Sequence, residues 1–154
     1  MHSSLISLVA VFLILATTAA VGAEPSPLAR GRALFEKKCD PCHSLDRSLD
    51  TQQDRADWEK TIIRMIRKGA QIDKAQLSPI LGYLSAKSSF ETRCNTCHDL
   101  QRPLTAIKNP EEWQATVARM SSVMPRHLTE ADAGAITLYL SLVTPANPDT
   151  PAAR

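Results

Sequence analysis

Apolar residues recur at helical spacing through most of this chain. One such series follows Asp54 and a second follows Asn109, and each begins with a Trp and carries a Met two turns later. A further helix is predicted over 27–39, with Ser26 as the N-cap and Pro27 in the first turn. No segment shows the strict alternation that is typical of a strand. The pattern therefore predicts an all-α fold.

The helices belong to an internal repeat. A shift of 55 positions aligns the two halves of the chain, and one inserted residue extends the match to the C-terminal helices. The matched pairs of aromatic and sulfur-containing residues are Phe35/Phe90, Trp58/Trp113, Met65/Met120 and Tyr83/Tyr139. Because the chain contains only two Trp and two Tyr, we interpret it as a tandem duplication of one three-helix unit.

The third helix of each unit is predicted to follow Asp73 in the first unit and Thr129 in the second. Proline removes a backbone donor and clashes with the preceding turn. Pro79 interrupts this pattern in the first unit, so a start at Ser78 is the alternative to a start after Asp73.

Residues 24–86 and 87–143 are predicted to form two small domains. The first helix of the second domain is predicted at about 90–94, which leaves 85–89 as a connection of at most roughly 17 Å. The two domains must then lie side by side. Domains of this size bury little apolar surface, so we expect each to fold around a cofactor. Residues 144–154 contain three prolines and are predicted to be a disordered tail.

The first 23 residues are predicted to be a signal peptide. An apolar run over 5–16 precedes small residues and a cleavage site after Val21-Gly22-Ala23. Its N-terminal region is weakly basic, with His2 as its one candidate cation, so an uncleaved membrane tether is the alternative. Export predicts a periplasmic location.

Two copies of a five-residue motif use every cysteine: Cys39-Asp40-Pro41-Cys42-His43 and Cys94-Asn95-Thr96-Cys97-His98. C-x-x-C-H is the attachment signature of c-type haem. The thiols of each motif add across the porphyrin vinyl groups, and the histidine becomes the proximal iron ligand. The motifs predict two covalently bound haem c groups, held by Cys39 and Cys42 with His43 and by Cys94 and Cys97 with His98.

Three other uses of the cysteines are open. Four thiolates hold a structural zinc in some small domains, but that gives neither histidine a role. A thioredoxin-like pair requires a βαβ setting, which the pattern does not predict. Disulfides within or between the pairs are compatible with export.

These motifs resemble those of tandem dihaem c-type cytochromes. The matching pieces are F-x₃-CxxCH, a W-x₆-M helix and a closing helix with Tyr-Leu, over about residues 30–143. Met124-Pro125 and the helix after it also look like the distal loop and terminal helix of single-haem class I cytochromes c. The resemblance implies two tandem cytochrome c-like haem domains and an electron carrier, not an enzyme, between a redox-protein donor and acceptor. The alternatives are a subunit of a larger dehydrogenase or oxidase complex and a dihaem peroxidase.

The distal iron ligands follow by elimination in the first unit. Its one methionine is Met65, and its one histidine is His43, so Met65, a lysine or an open site remains for the first haem. The duplication nominates Met120 for the second haem, with Met124 and His127 as rivals. Core packing is the commoner fate of a helical Met, but the repetition of these two residues favours Met65 and Met120 as the distal iron ligands. His127 has no counterpart in the first unit and is predicted at the surface.

The repeat also suggests residues around each haem. Trp58 and Trp113 are predicted to pack against the haem edge, with the indole N–H directed at a propionate. Repeated arginines match the carboxylate fork of a propionate, although each is as readily solvated. These arginines are Arg47, Arg64, Arg102 and Arg119.

The charge of the chain limits the classes of partner that are expected to bind it. The formal net charge is +2, and two haems would add four propionates, so nucleic acid is not expected as a partner. Residues 24–88 carry 12 basic and 9 acidic side chains, whereas 89–154 carry 6 and 7. Arg64, Arg67 and Lys68 follow one another along a predicted helix; an ordinary solvated helix face is the favoured interpretation, and attraction of an acidic partner to the first haem is the alternative.

Overall fold

The computed structural model describes residues 24–146; the predicted signal peptide and residues 147–154 lie outside the described part. Within 24–146 there are seven helices and no strand, so the predicted all-α class is confirmed. The helices are α1 (Pro27–Cys39), α2 (Asp46–Leu49), α3 (Arg55–Arg67), α4 (Lys74–Cys94), α5 (Gln101–Leu104), α6 (Pro110–Val123) and α7 (Glu130–Val143). The single-turn helices α2 and α5 were not predicted.

Among the described residues, no helix combines the length and the apolar character needed to cross a membrane.

The five longer helices begin where the capping residues predict. In each, the N-cap side chain accepts a hydrogen bond from a backbone N–H of the first turn, which satisfies one of the free donors at the helix start. These N-caps are Ser26, Asp54, Asp73, Asn109 and Thr129.

The predicted start of the third helix after Asp73 is confirmed, and the alternative start at Ser78 is wrong. Helix α4 begins at Lys74 and continues through Pro79. The capping box of Asp73 and Gln76 fixes the earlier start, since each side chain accepts from the backbone N–H of the other. Pro79 lies only in the second turn, where its missing donor costs the helix a single hydrogen bond.

The predicted connection over 85–89 is also wrong, because these residues form the middle of the 21-residue helix α4. Under the repeat, the first half of α4 corresponds to α7, and its second half corresponds to α1. One helix thus serves both units, and the predicted boundary between residues 86 and 87 falls in its interior.

The buried apolar side chains of both units form one hydrophobic cluster around α4, which contacts α1, α3 and α7. Four aromatic rings cross the centre of this cluster. Ring centroids are 5.9 Å apart for Phe35 and Tyr83, 6.1 Å for Tyr83 and Tyr139, and 5.4 Å for Tyr139 and Phe90. The repeat-related residues Phe35 and Phe90 therefore occupy equivalent ends of one row that joins the two units.

Candidate cofactor-binding site

The two C-x-x-C-H motifs occupy equivalent places in the fold. Helix α1 ends at Cys39 and helix α4 ends at Cys94, and each motif then turns into a short helix, α2 or α5. Cys39 and Cys94 are half-buried, whereas Cys42 and Cys97 are exposed. Each motif thus presents one thiol at a helix end and one on the adjoining turn.

Both motif histidines make the same local hydrogen bond. Nδ1 of His43 lies 2.9 Å from the carbonyl oxygen of Ser44, and Nδ1 of His98 lies 3.0 Å from that of Asp99. A backbone carbonyl accepts, so Nδ1 carries the proton, and the lone pair of the neutral ring is on Nε2. This is the arrangement that orients a metal-ligating histidine.

The half-buried thiols are held in the neutral form. Burial raises the pKa of the Cys39 thiol, with Cys42 as a second cause. Burial likewise raises the pKa of Cys94 to about 11, again with a contribution from the second cysteine of its motif, Cys97. Thioredoxin-like pairs show the opposite shift, so these thiols are not poised for disulfide exchange.

The cysteines of the two motifs do not gather into a metal-binding cluster in the described part of the chain. All four are free thiols, and all four lie within the described residues. Nowhere in 24–146 do three or more His, Cys, Asp or Glu side chains gather into a metal site. A tetrathiolate zinc centre would require the two motifs to converge.

A cleft of about 480 Å³ adjoins the second motif. Its lining includes Cys94 and His98 from the motif, Val117 and Met120 from α6, and Ile136 from α7. The exposed fraction of Met120 is 39%, although the residue lies on the apolar stripe of its helix. The cleft therefore brings together Cys94, His98 and Met120, which come from a helix end, the motif turn and a different helix.

The rivals of Met120 lie elsewhere. Neither Met124 nor His127, both of which the structure describes, lines the cleft. Nε2 of His127 is 3.0 Å from Oγ1 of Thr96, the third residue of the second motif. His127 is half-buried, and this contact ties the α6–α7 loop to the motif.

Three basic side chains also line the cleft: Arg102, Lys108 and Arg119. Arg102 and Arg119 were predicted, and Lys108 was not. Lys108 aligns with Gln53 in the repeat, so repetition gave no signal for it. Its Nζ lies 5.7 Å from the ring centroid of Trp113, which holds this cation at the cleft.

The hydrogen bonds of the tryptophans contradict the prediction that each indole N–H is directed at a propionate. Trp113 lines the cleft, but its Nε1 donates to Oγ1 of Thr144 at 2.9 Å. Nε1 of Trp58 donates to Oγ of Ser88 at 3.0 Å. An indole has a single N–H, so neither tryptophan has a donor left for a propionate. Thr144 is buried and caps α7, so the predicted tail does not begin there.

In the first unit, the predicted residues lie at the repeat-equivalent positions. Met65 is half-buried on α3, two turns beyond the buried Trp58, and His43 is exposed at the end of its motif. Arg47 and Arg64 are exposed, and Nη2 of Arg64 donates to Thr61 Oγ1 at 3.2 Å.

Comparison of the chain with protein-family models, with curated proteins and with solved structures finds no match in any of the three.

Proposed function

We propose that this protein is a dihaem c-type cytochrome that carries single electrons between a redox-protein donor and acceptor outside the cytoplasmic membrane. The observation that carries the proposal is the cleft whose lining includes Cys94, His98 and Met120. A covalent attachment point, a proximal ligand and a soft distal ligand are the three elements that such a cofactor needs. The repeat extends the proposal to Cys39, Cys42, His43 and Met65.

The volume and the lining of the cleft are suitable for a haem group. Its volume of about 480 Å³ is within the usual range of roughly 300–1,000 Å³ for cofactor sites, and its walls are mainly apolar. Arg102, Lys108 and Arg119 supply the positive charge that two propionates would require. When bound, haem iron accepts and releases one electron at a time.

In this function, the residues of the chain would orient the iron ligands and exclude water. His98 Nε2 is oriented by the bond from Nδ1 to the Asp99 carbonyl. The thioether of Met120 is a neutral, polarizable donor that favours the reduced metal. Val117 and Ile136 are apolar walls that exclude water. No acid or base is needed, because electron transfer moves no proton to or from a substrate.

Two observations favour a carrier over the peroxidase alternative. A peroxidase needs a polar catalytic group above an open iron site. His127 is the one histidine outside the motifs in the described residues, and it is bonded to Thr96 and does not line the cleft. Met120 occupies the cleft instead. Membership of a larger redox complex and tethering through an uncleaved signal segment are both compatible with the carrier proposal.

Intact mass spectrometry tests the proposal. We expect the processed chain plus two haems, with both groups retained after denaturation. The variant Cys39→Ala/Cys42→Ala should retain one haem, as should Cys94→Ala/Cys97→Ala. Extraction of all haem by acidified acetone, or a mass without haem after expression with an intact maturation system, would overturn it.

A further inference from the structure

We propose that Ser88 and Thr144 are positioning residues for the two distal ligands. Their hydroxyls anchor Trp58 and Trp113, and the anchored tryptophans fix the helices that carry Met65 and Met120. This inference rests on the proposed function and adds to it two residues that belong to neither haem motif.

The two hydrogen bonds are buried and equivalent. Trp58 and Trp113 are each 2% exposed, and their acceptors Ser88 and Thr144 are 4% and 8% exposed. Trp58 and Trp113 are related by the shift of 55 positions, and Ser88 and Thr144 by the same shift plus the one inserted residue. Both bonds therefore belong to the duplicated architecture.

Each hydroxyl can accept the indole N–H. Oγ1 of Thr144 donates its own proton to the Leu140 carbonyl at 2.7 Å, which leaves its lone pairs for Trp113. Oγ of Ser88 also accepts from the backbone N–H of Gln53 at 3.3 Å, just before α3. Ser88 thus bonds both to Gln53, which precedes α3, and to Trp58 in the first turn of α3.

The tryptophan and the methionine lie on one face of their helix. Residues seven apart are two turns, or about 10 Å, along the same side of an α-helix. In α6 this face forms a wall of the cleft, which Trp113, Val117 and Met120 all line. A bond that fixes the roll of the helix at Trp113 therefore also fixes the direction in which Met120 points.

In the first unit, the hydrogen bond from Trp58 to Ser88 joins residues on opposite sides of the predicted boundary between the units. Ser88 lies six residues before Cys94, in the half of α4 that leads to the second motif. Its partner Trp58 is on α3, the helix that carries Met65. Ser88 should therefore act on the first haem, although it is closer in sequence to the second motif.

The test uses the full-length holoprotein with Ser88→Ala and Thr144→Val. Loss of the acceptor leaves a buried indole N–H without a partner, and movement of the helix relieves this by admitting water. We expect weaker sulfur-to-iron absorption in the near infrared and carbon monoxide binding to the reduced protein that is faster by about tenfold. Faster amide hydrogen exchange should be confined to α3 in Ser88→Ala and to α6 in Thr144→Val.

The chain supplies matched controls. Ser85 and Ser141 are also repeat-related hydroxyls, but they donate within their own helices, to Leu81 O at 2.6 Å and to Thr137 O at 2.8 Å. Ser85→Ala and Ser141→Ala should leave all three readouts at parental values. Thr144→Ser keeps the acceptor and should restore the parental behaviour at the second haem.

The outcomes separate this inference from the proposed function. If the parent holoprotein shows no sulfur-to-iron band, methionine ligation is wrong, and the inference is overturned with it. If the parent shows the band and neither Ser88→Ala nor Thr144→Val alters it or the exchange of α3 and α6, the inference alone is overturned. Equal effects from the Ser85 and Ser141 controls would also overturn it.

Discussion

Gly31 in α1 lies directly against the backbone carbonyl of Pro79 in α4. A Cβ atom at position 31 would overlap both the oxygen and the carbon of that carbonyl. The obstacle is backbone, so it has no rotamer by which to move aside. The absence of a side chain at Gly31 therefore lets α1 cross α4 closely enough to bury Phe35 one turn later.

The first prediction is that Gly31→Ala destabilises the protein. Forcing a methyl group into this crossing should lower the free energy of unfolding by about 2 kcal/mol. The control is Gly134→Ala in α7, where an added Cβ meets nothing within 4 Å. That change should raise stability by up to about 1 kcal/mol, because Ala favours helix over Gly. Urea unfolding measures both, and equal effects of the two substitutions would contradict the close crossing.

The crossing of α1 and α4 separates the features of the fold that the sequence predicts from those that it does not. The starts of the five longer helices were predictable because capping is local chemistry between residues three positions apart. The two C-x-x-C-H motifs are likewise local patterns that can be identified from the sequence alone. The continuity of α4 was not, because it depends on burial of Tyr83, Lys87 and Phe90 between helices that are distant in sequence.

The repeat identified several residues that line the cleft, but not the hydrogen bonds that hold the surrounding helices in place. Met120 and Arg102 have partners at the repeat distance, so duplication identified them. Lys108 has none and was missed. The bond between Trp113 and Thr144 joins residues 31 apart, and a hydroxyl at either end of such a pair has no local signature. Only the Ser88/Thr144 match under the repeat could have indicated it.

The second prediction concerns the distal ligands. Met120→Ala should abolish the sulfur-to-iron band of one ferric haem and lower that haem's potential, because a thioether favours the reduced metal. Met65→Ala should do the same for the other haem. Met124→Ala is the matched control and should alter neither, since Met124 does not line the cleft. Loss of a band in Met124→Ala but not in Met120→Ala would contradict the ligand assignment.

The third prediction tests whether the ion pair of Lys87 and Glu91 in α4 stabilises the packing of the first unit against this helix. Nζ of Lys87, 7% exposed, donates both to the Leu49 carbonyl and to Oε1 of Glu91. Gln52 Nε2 donates to the other carboxylate oxygen at 3.2 Å. Lys87→Met leaves this carboxylate without its cation and should cost about 3 kcal/mol. Denaturant unfolding measures the loss.

Two further variants check the origin of that loss. Lys87→Met/Glu91→Leu should recover most of the stability, because no unpaired charge remains. Lys60→Met breaks an exposed pair with Asp57 and should change stability little. If Lys87→Met is as mild as Lys60→Met, the pair does not anchor the first unit to α4.

The fourth prediction is a pH dependence at Asp132. Burial opposes ionisation of this carboxyl, but the hydrogen bond from Thr129 and the charge of Arg93 outweigh it, so its pKa is lowered. The folded state thus binds this proton less tightly than the unfolded chain. The stabilisation is complete above the ordinary Asp pKa of about 3.9 and is lost as pH falls through the lower folded value. Unfolding of Asp132→Asn, compared with the parent from pH 6 to pH 2, should show a flatter acid limb; an unchanged slope would contradict the shift.

The last prediction concerns charge around the two proposed haem sites. Arg64, Arg67 and Lys68 are exposed at the end of α3, and the described part contains no salt bridge to any of them. Residues 24–88 carry a net charge of +3, whereas 89–154 carry −1. An anionic reaction partner should therefore approach the first haem faster than the second. The difference should be largest at low salt, because the screening length falls from about 30 Å at 0.01 M to about 8 Å at 0.15 M ionic strength.

Single-haem variants isolate the two sites. Cys94→Ala/Cys97→Ala retains the first haem, and Cys39→Ala/Cys42→Ala retains the second. Stopped-flow oxidation by ferricyanide should slow with added salt in the first variant and change little in the second. Adding Arg67→Gln to the first variant should reduce the salt dependence, whereas adding Arg126→Gln, an exposed cation of the second unit, should not. A rate at the first haem that does not respond to salt would mean that the basic end of α3 is only a solvated surface and does not attract acidic partners.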